Sequence, residues 1–288
     1  MKKNANVKES RALSFLYHTA FGRALLKPLV SRGLSRLAGV FMDSPLSRPI
    51  IPGFIRRNGI RLADYEETRY RCFNDCFCRK IRPELRPICP DPSALIAPCD
   101  GLLTAYDIRE DTVLPVKQSQ YAVSDLLGGD AIARRYEGGL CLVFRLCVDN
   151  YHRYCYVDDG IKGENTFLPG ILHTVRPIAL SAAPVFVQNC REYTVMHTDH
   201  FGAVTQVEVG AMLVGKIKNH QGAGPIRRGD EKGLFLYGGS TVILLLEGHR
   251  ALLDAALMPC LNTGVELPVQ MGQVIGRAVT GAGSISKA

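Results

Sequence analysis

The chain has no uncharged stretch long enough to cross a bilayer. The longest, 177–190 and 233–246, have 14 residues each, whereas a spanning helix needs about 18. No secretory leader is visible, because Arg11, His18, Arg23 and Lys27 interrupt any apolar h-region. Homopolymer tracts are absent, and 47% hydrophobic against 22% charged residues excludes wholesale disorder. With 288 residues, that composition supplies a core for one large or two small domains. GxGxxG, P-loop, HExxH and GxSxG motifs are all missing, which removes the common nucleotide-binding, zinc-protease and α/β-hydrolase readings. Cys72, Cys76 and Cys78 form a C-x3-C-x-C group. No second cysteine or histidine pair follows at structural-zinc spacing, so the group is a weak metal candidate and its role stays open.

Ten cysteines are present, mostly inside apolar runs, in a chain far too long to need disulfide staples; we expect reduced thiols. The formal net charge is +8, and it is unevenly placed. Residues 1–61 hold twelve Lys/Arg against Glu9 and Asp43, an excess of +10, so residues 62–288 carry −2. Within that segment Leu13, Leu16, Tyr17, Ala20, Phe21 and Ala24 recur at helical spacing, and Arg23, Lys27, Arg32 and Arg36 interleave with further apolar residues. Pro28 is expected to kink or restart the helix. Two readings are open: a basic amphipathic layer docked on an anionic lipid surface, where each basic residue contributes on the order of 1 kcal/mol, or a helical layer packed on the core with a solvated basic face. No recognition motif accompanies the basic patch, so nucleic acid is not expected as a partner.

A helical stretch is expected from Leu62 to Cys78, followed by a link containing Pro83, Pro87, Pro90, Pro92 and Pro98. From residue 94 onward, short apolar runs (140–148, 204–217 and 234–246) are broken by Gly, Asp and Asn, and their β-branched content favours strands. The expected fold class is α+β. It combines an N-terminal amphipathic helical layer, in region 1–80, with a mostly antiparallel, sandwich- or barrel-like β core over 94–288.

Four constellations carry candidate chemistry. Tyr237-Gly238-Gly239-Ser240-Thr241 lies between two apolar runs. It reads either as a hairpin turn or as a strained peptide that the Ser240 hydroxyl attacks, given a base and oxyanion donors. Ala97-Pro98-Cys99-Asp100-Gly101 is either a turn or the source of a carboxylate that orients a histidine. Asn150-Tyr151-His152-Arg153-Tyr154-Cys155-Tyr156 places a histidine at a strand end. Leu168-Pro169-Gly170-Ile171-Leu172-His173-Thr174-Val175 offers a second histidine in a strand-like run.

In order and company these segments resemble the phosphatidylserine decarboxylases, pyruvoyl-dependent enzymes made as self-cleaving proenzymes. The resemblance runs from about residue 94 to 250: APCDG, NYHRY, LPGILHTV, QVEVGAMLVGKI, the spacing Gly229 to Phe235, and GGSTVILLL. It implies that Ser240 attacks the Gly239 carbonyl and ends as the pyruvoyl group. The β chain would then be 1–239 and the α chain 240–288, the two remaining associated. It further implies that Asp100 and His152 deprotonate Ser240. One departure stands out: Cys155 occupies the place where many members carry a second histidine, as in a clostridial-type branch reading YHRYCY. The base therefore passes to His152, with His173 as a rival.

The implied reaction converts phosphatidylserine to phosphatidylethanolamine and CO2 through a pyruvoyl Schiff base. The implied location is peripheral, on the cytoplasmic side of the cell membrane. A homo-oligomer is left open. The alternatives are a noncatalytic lipid-binding β module and a pyruvoyl-dependent decarboxylase of a soluble amino acid.

Overall fold

The computed structural model describes residues 11–109, 113–116, 119–129, 131–175, 179, 184–211, 216–237 and 240–279. Its N-terminal layer consists of α1 (Arg11–His18), α2 (Ala20–Leu29), α3 (Arg32–Asp43) and α4 (Ile51–Asn58). The breaks are chemically marked. Thr19 and Ser31 accept from the amides of Gly22 and Leu34 and so cap α2 and α3. Pro28 sits in the last turn of α2, and the chain restarts at Arg32. Gly59, with φ of 62°, ends α4 in the left-handed conformation. Among the described residues no helix is long and apolar enough to cross a membrane. The layer is anchored by a few side chains: Tyr17, Leu26 and Val30 enter the main core, and Ile51 packs with Phe73, Cys76, Phe77 and Cys78 in a second cluster.

The helix expected over Leu62–Cys78 does not form. Tyr65 instead bridges Ile81, and the Glu66 amide bonds the Lys80 carbonyl at 2.8 Å. This extended pairing competes with helical hydrogen bonds, so only a 3-10 turn at Leu62–Asp64 and the five-residue α5 (Phe73–Phe77) remain. Cys72, Cys76 and Cys78 are buried and free.

The β core is open rather than a closed barrel, and its named strands pair antiparallel. Eight strands position the site: β1 (Gly101–Asp107), β2 (Leu140–Leu146), β3 (Arg153–Cys155), β4 (Arg191–Thr198), β5 (Gly202–Val209), β6 (Ile217–Asn219), β7 (Glu231–Phe235) and β8 (Ser240–Leu246). The central sheet has the spatial order β4-β5-β8-β2-β1, extended on both sides by short strands, and β6-β7-β3 form a separate sheet. All seven residues of β8 are buried, which explains why residues 242–246, VILLL, form a continuous apolar run rather than an alternation.

Candidate active site

Strands β7 and β8 flank residues 236–239 but lie in different sheets. The two flanking strands therefore do not pair with each other as a hairpin. The described part of the segment is firmly held. The Tyr237 amide donates to Asn74 Oδ1 at 3.0 Å, and the Tyr237 ring meets Phe73 and Phe77 edge-on, with centroids 4.8 and 5.3 Å away. Gly238 and Gly239 lie outside the described residues.

Ser240 opens β8, and its buried hydroxyl has no hydrogen-bond partner among the described residues. Ser240 pairs with Leu146, and Thr241 pairs with Arg145, which in turn faces Leu102 on β1. One residue further along this register, Gly101, Leu146 and Ser240 fall in line. At an interstrand spacing of about 4.8 Å, the Gly101 and Ser240 Cα atoms are about 10 Å apart. A Cβ at 101 would meet the Arg145 carbonyl oxygen at 2.9 Å. Gly101 thus serves the close approach of two strands.

His152 is completely buried immediately before β3, its ring centroid 3.9 Å from that of Phe77. Nδ1 lies 2.9 Å from the Asn150 carbonyl oxygen. A carbonyl only accepts, so Nδ1 carries the proton and Nε2 presents a bare lone pair, buried and without a partner among the described residues. Burial, reinforced by the nearby Arg79 charge, pushes the imidazole down to about 3, so the ring is neutral near pH 7. Arg79 itself is buried and donates to the carbonyls of Cys76, Asp149 and Asn150 at 3.3, 2.9 and 3.3 Å. It ties the end of α5 to the loop that carries His152.

Asp100 is brought near this region but is not joined to His152. Arg86 grips both of its carboxylate oxygens, with Nε to Oδ1 at 2.7 Å, and the Met271 amide donates to Oδ1 at 2.9 Å. Among the described residues Asp100 and His152 share no hydrogen bond. The expected pairing is corrected accordingly: the Asn150 carbonyl holds the histidine, and a guanidinium holds the aspartate. The two motifs still meet, because the Cys155 amide donates to the Pro98 carbonyl at 2.8 Å.

His173 is not in a strand, although Ile171 makes an isolated bridge to Asn189. Its Nδ1 lies 3.1 Å from the Tyr17 hydroxyl. A further group escaped the sequence reading. Lys232 and Glu208, both fully buried, pair at 2.8 Å, and Asn219 accepts from Lys232 at 2.9 Å. Glu208 faces Val242 across the sheet, so by strand alternation it shares a face with Ser240. Burial raises the Glu208 carboxyl against the opposing pull of Lys232. The signal was present as a charge within the apolar alternation VTQVEVG, but only the opposing strand reveals its partner.

The sequence profile of the family described as phosphatidylserine decarboxylase matches residues 73–277. The chain is 42% identical over 265 residues to phosphatidylserine decarboxylase proenzyme 2 of Clostridium acetobutylicum, covering 92% of this chain and 91% of that protein. It is 38% identical over 270 residues to the phosphatidylserine decarboxylase proenzyme of Clostridium botulinum strain 657, covering 92% of each. The proenzyme of Clostridium perfringens strain SM101 is similar at 36% identity, again over 92% of each chain. Matches of this extent take in every segment of the site, from α5 through β8, and on that basis the chain belongs to the phosphatidylserine decarboxylase family, a family of carboxy-lyases.

Proposed function

We propose that the chain is a self-cleaving proenzyme that acts on phosphatidylserine at an anionic membrane surface. The observation that carries this reading is that Ser240 Oγ and His152 Nε2 are two of several buried atoms with no hydrogen-bond partner among the described residues. An orphaned buried hydroxyl costs stability, and its retention at the start of β8 is explained by a reactive role. His152 Nε2 takes the Ser240 proton, and Oγ attacks the Gly239 carbonyl. The resulting ester eliminates to leave a carboxylate at Gly239 and a dehydroalanine at 240, which hydrolyses with loss of ammonia. The fit for a ketone derived from Ser240 is good, because an all-buried strand shields position 240 from water. A pyruvoyl group there supplies an electron sink for decarboxylation. The Asn150 carbonyl fixes the His152 tautomer. Asp100 contributes through Arg86, by fixing the segment that leads into Gly101.

Residues 1–80 form the membrane-associating region, and residues 94–288 the catalytic domain. Phe21, Leu37, Val40 and Leu46 stand 69%, 73%, 69% and 76% exposed on the N-terminal layer, the segment that carries the +10 excess. Apolar side chains facing outward among basic residues suit an anionic lipid surface and a peripheral attachment, which we place on the cytoplasmic face. The test is to supply vesicles containing phosphatidylserine to the purified wild type and to Ser240→Ala. Phosphatidylethanolamine appearing only with the wild type supports the reading. Turnover by the uncleaved variant, or none by a fully cleaved wild type, overturns it.

A further inference from the structure

The segment around His173 is held by the N-terminal helices. The Tyr17 hydroxyl accepts from the Thr174 amide at 3.2 Å and meets His173 Nδ1 at 3.1 Å. The Leu172 amide donates to the Val30 carbonyl at the end of α2, at 3.1 Å. A phenol has one proton. With its oxygen accepting from Thr174, that proton points into Nδ1, and His173 keeps its own proton on Nε2. Burial depresses this imidazole, against a hydrogen bond to Gln188.

Asn189 holds the same segment from the other side. Its Oδ1 accepts from the His173 amide at 2.8 Å, and its Nδ2 donates to the His173 and Gly210 carbonyls at 2.8 and 2.7 Å. Gly210 directly follows Val209, which pairs with Thr241. One further residue in that register brings Gly210 opposite Ser240. A hydrogen-bonded chain therefore runs from α1 through His173 and Asn189 to the strand neighbour of Ser240. The same helices α1 and α2 carry Phe15, Phe21 and Leu25 exposed on their outer side.

We propose that Tyr17 is a positioning residue for the decarboxylation: its hydroxyl holds His173, in the Nε2–H form, and with it the Asn189-braced segment that bonds Gly210 beside Ser240, so that the same helices that face the lipid also brace the backbone at the reacting centre. This rests on the lipid-decarboxylase reading above. Tyr17→Phe keeps the ring and removes the hydroxyl. Self-cleavage should still go to completion and flotation with anionic vesicles should be unchanged. On phosphatidylserine vesicles kcat should fall about three- to tenfold, the worth of one neutral hydrogen bond, at unchanged KM. In a His173→Ala background the same substitution should cost nothing more. The 15N spectrum of histidine-labelled protein should show His173 protonated on Nε2 in the wild type and a mixture of tautomers in Tyr17→Phe. Full kcat in Tyr17→Phe, an equal loss in the His173→Ala background, or an unchanged tautomer would each overturn the proposal. A wild type that binds vesicles and cleaves itself but releases no phosphatidylethanolamine would instead sink the substrate reading, and the tautomer spectrum would still decide the Tyr17–His173 link.

Discussion

His152 makes the protein sensitive to acid in a calculable way. Its folded value of about 3 lies below the unfolded value of 6.5, so the unfolded chain binds more protons across that window. Stability is therefore full above about pH 6.5 and is lost as pH falls toward 3. Each pH unit inside the window costs up to about 1.4 kcal/mol. The same linkage gives about 2 kcal/mol lost between pH 7 and pH 5 from this one ring. The assay is urea unfolding of Ser240→Ala, which stays a single chain, at pH 7 and pH 5, beside the same protein carrying His152→Gln. Carboxylates titrate alike in both proteins, so the difference between their two losses reports His152 alone. A pH 7 to 5 loss that is about 2 kcal/mol smaller in the glutamine variant is expected. Equal losses would refute a buried, neutral imidazole.

His152→Ala should accumulate the uncleaved chain on a denaturing gel, whereas His173→Ala should cleave and then decarboxylate slowly; the reverse result would transfer the base to His173. Asp100→Asn, which loosens the grip of Arg86, should also slow cleavage, read from the same gel. Replacing Arg23, Lys27, Arg32 and Arg36 by glutamine removes about 1 kcal/mol each and should weaken binding to anionic vesicles about a hundred- to thousandfold, with salt weakening the wild type likewise. Lys232→Met strands the Glu208 charge and should cost about 3–5 kcal/mol in urea melts, while adding Glu208→Leu should recover most of it.

The class of fold, the buried strand that begins at Ser240 and the basic helical layer could all be read from local pattern, because each is written in the spacing of apolar and charged residues. The segment Leu62–Cys78 misled because its apparent helical pattern is overridden by pairing with residues 80–82, a tertiary choice that periodicity does not register. The glycine pair at 238–239 left a hairpin open beside a strained peptide because two apolar runs flank it, and only the membership of those runs in different sheets shows that they do not pair with each other. Asp100 illustrates the same limit. Its carboxylate is claimed by Arg86 from the proline-rich link, and a guanidinium 14 positions away in an irregular segment has no period to announce it. Lys232–Glu208 and Tyr17–His173 join residues 24 and 156 positions apart, and only the folded register brings them together.

The central claim is that Ser240 is consumed by its own attack on the preceding peptide bond. The direct measurement is an intact-mass and Edman analysis of the purified wild-type protein. Scaling 31.6 kDa over 288 residues, self-cleavage at Ser240 gives two chains of about 26 and about 5 kDa. The smaller one should begin at 240, lighter by one ammonia than a serine-started peptide and blocked to Edman chemistry. A single intact chain, or a small chain with a free amino-terminal serine at 240, would contradict it.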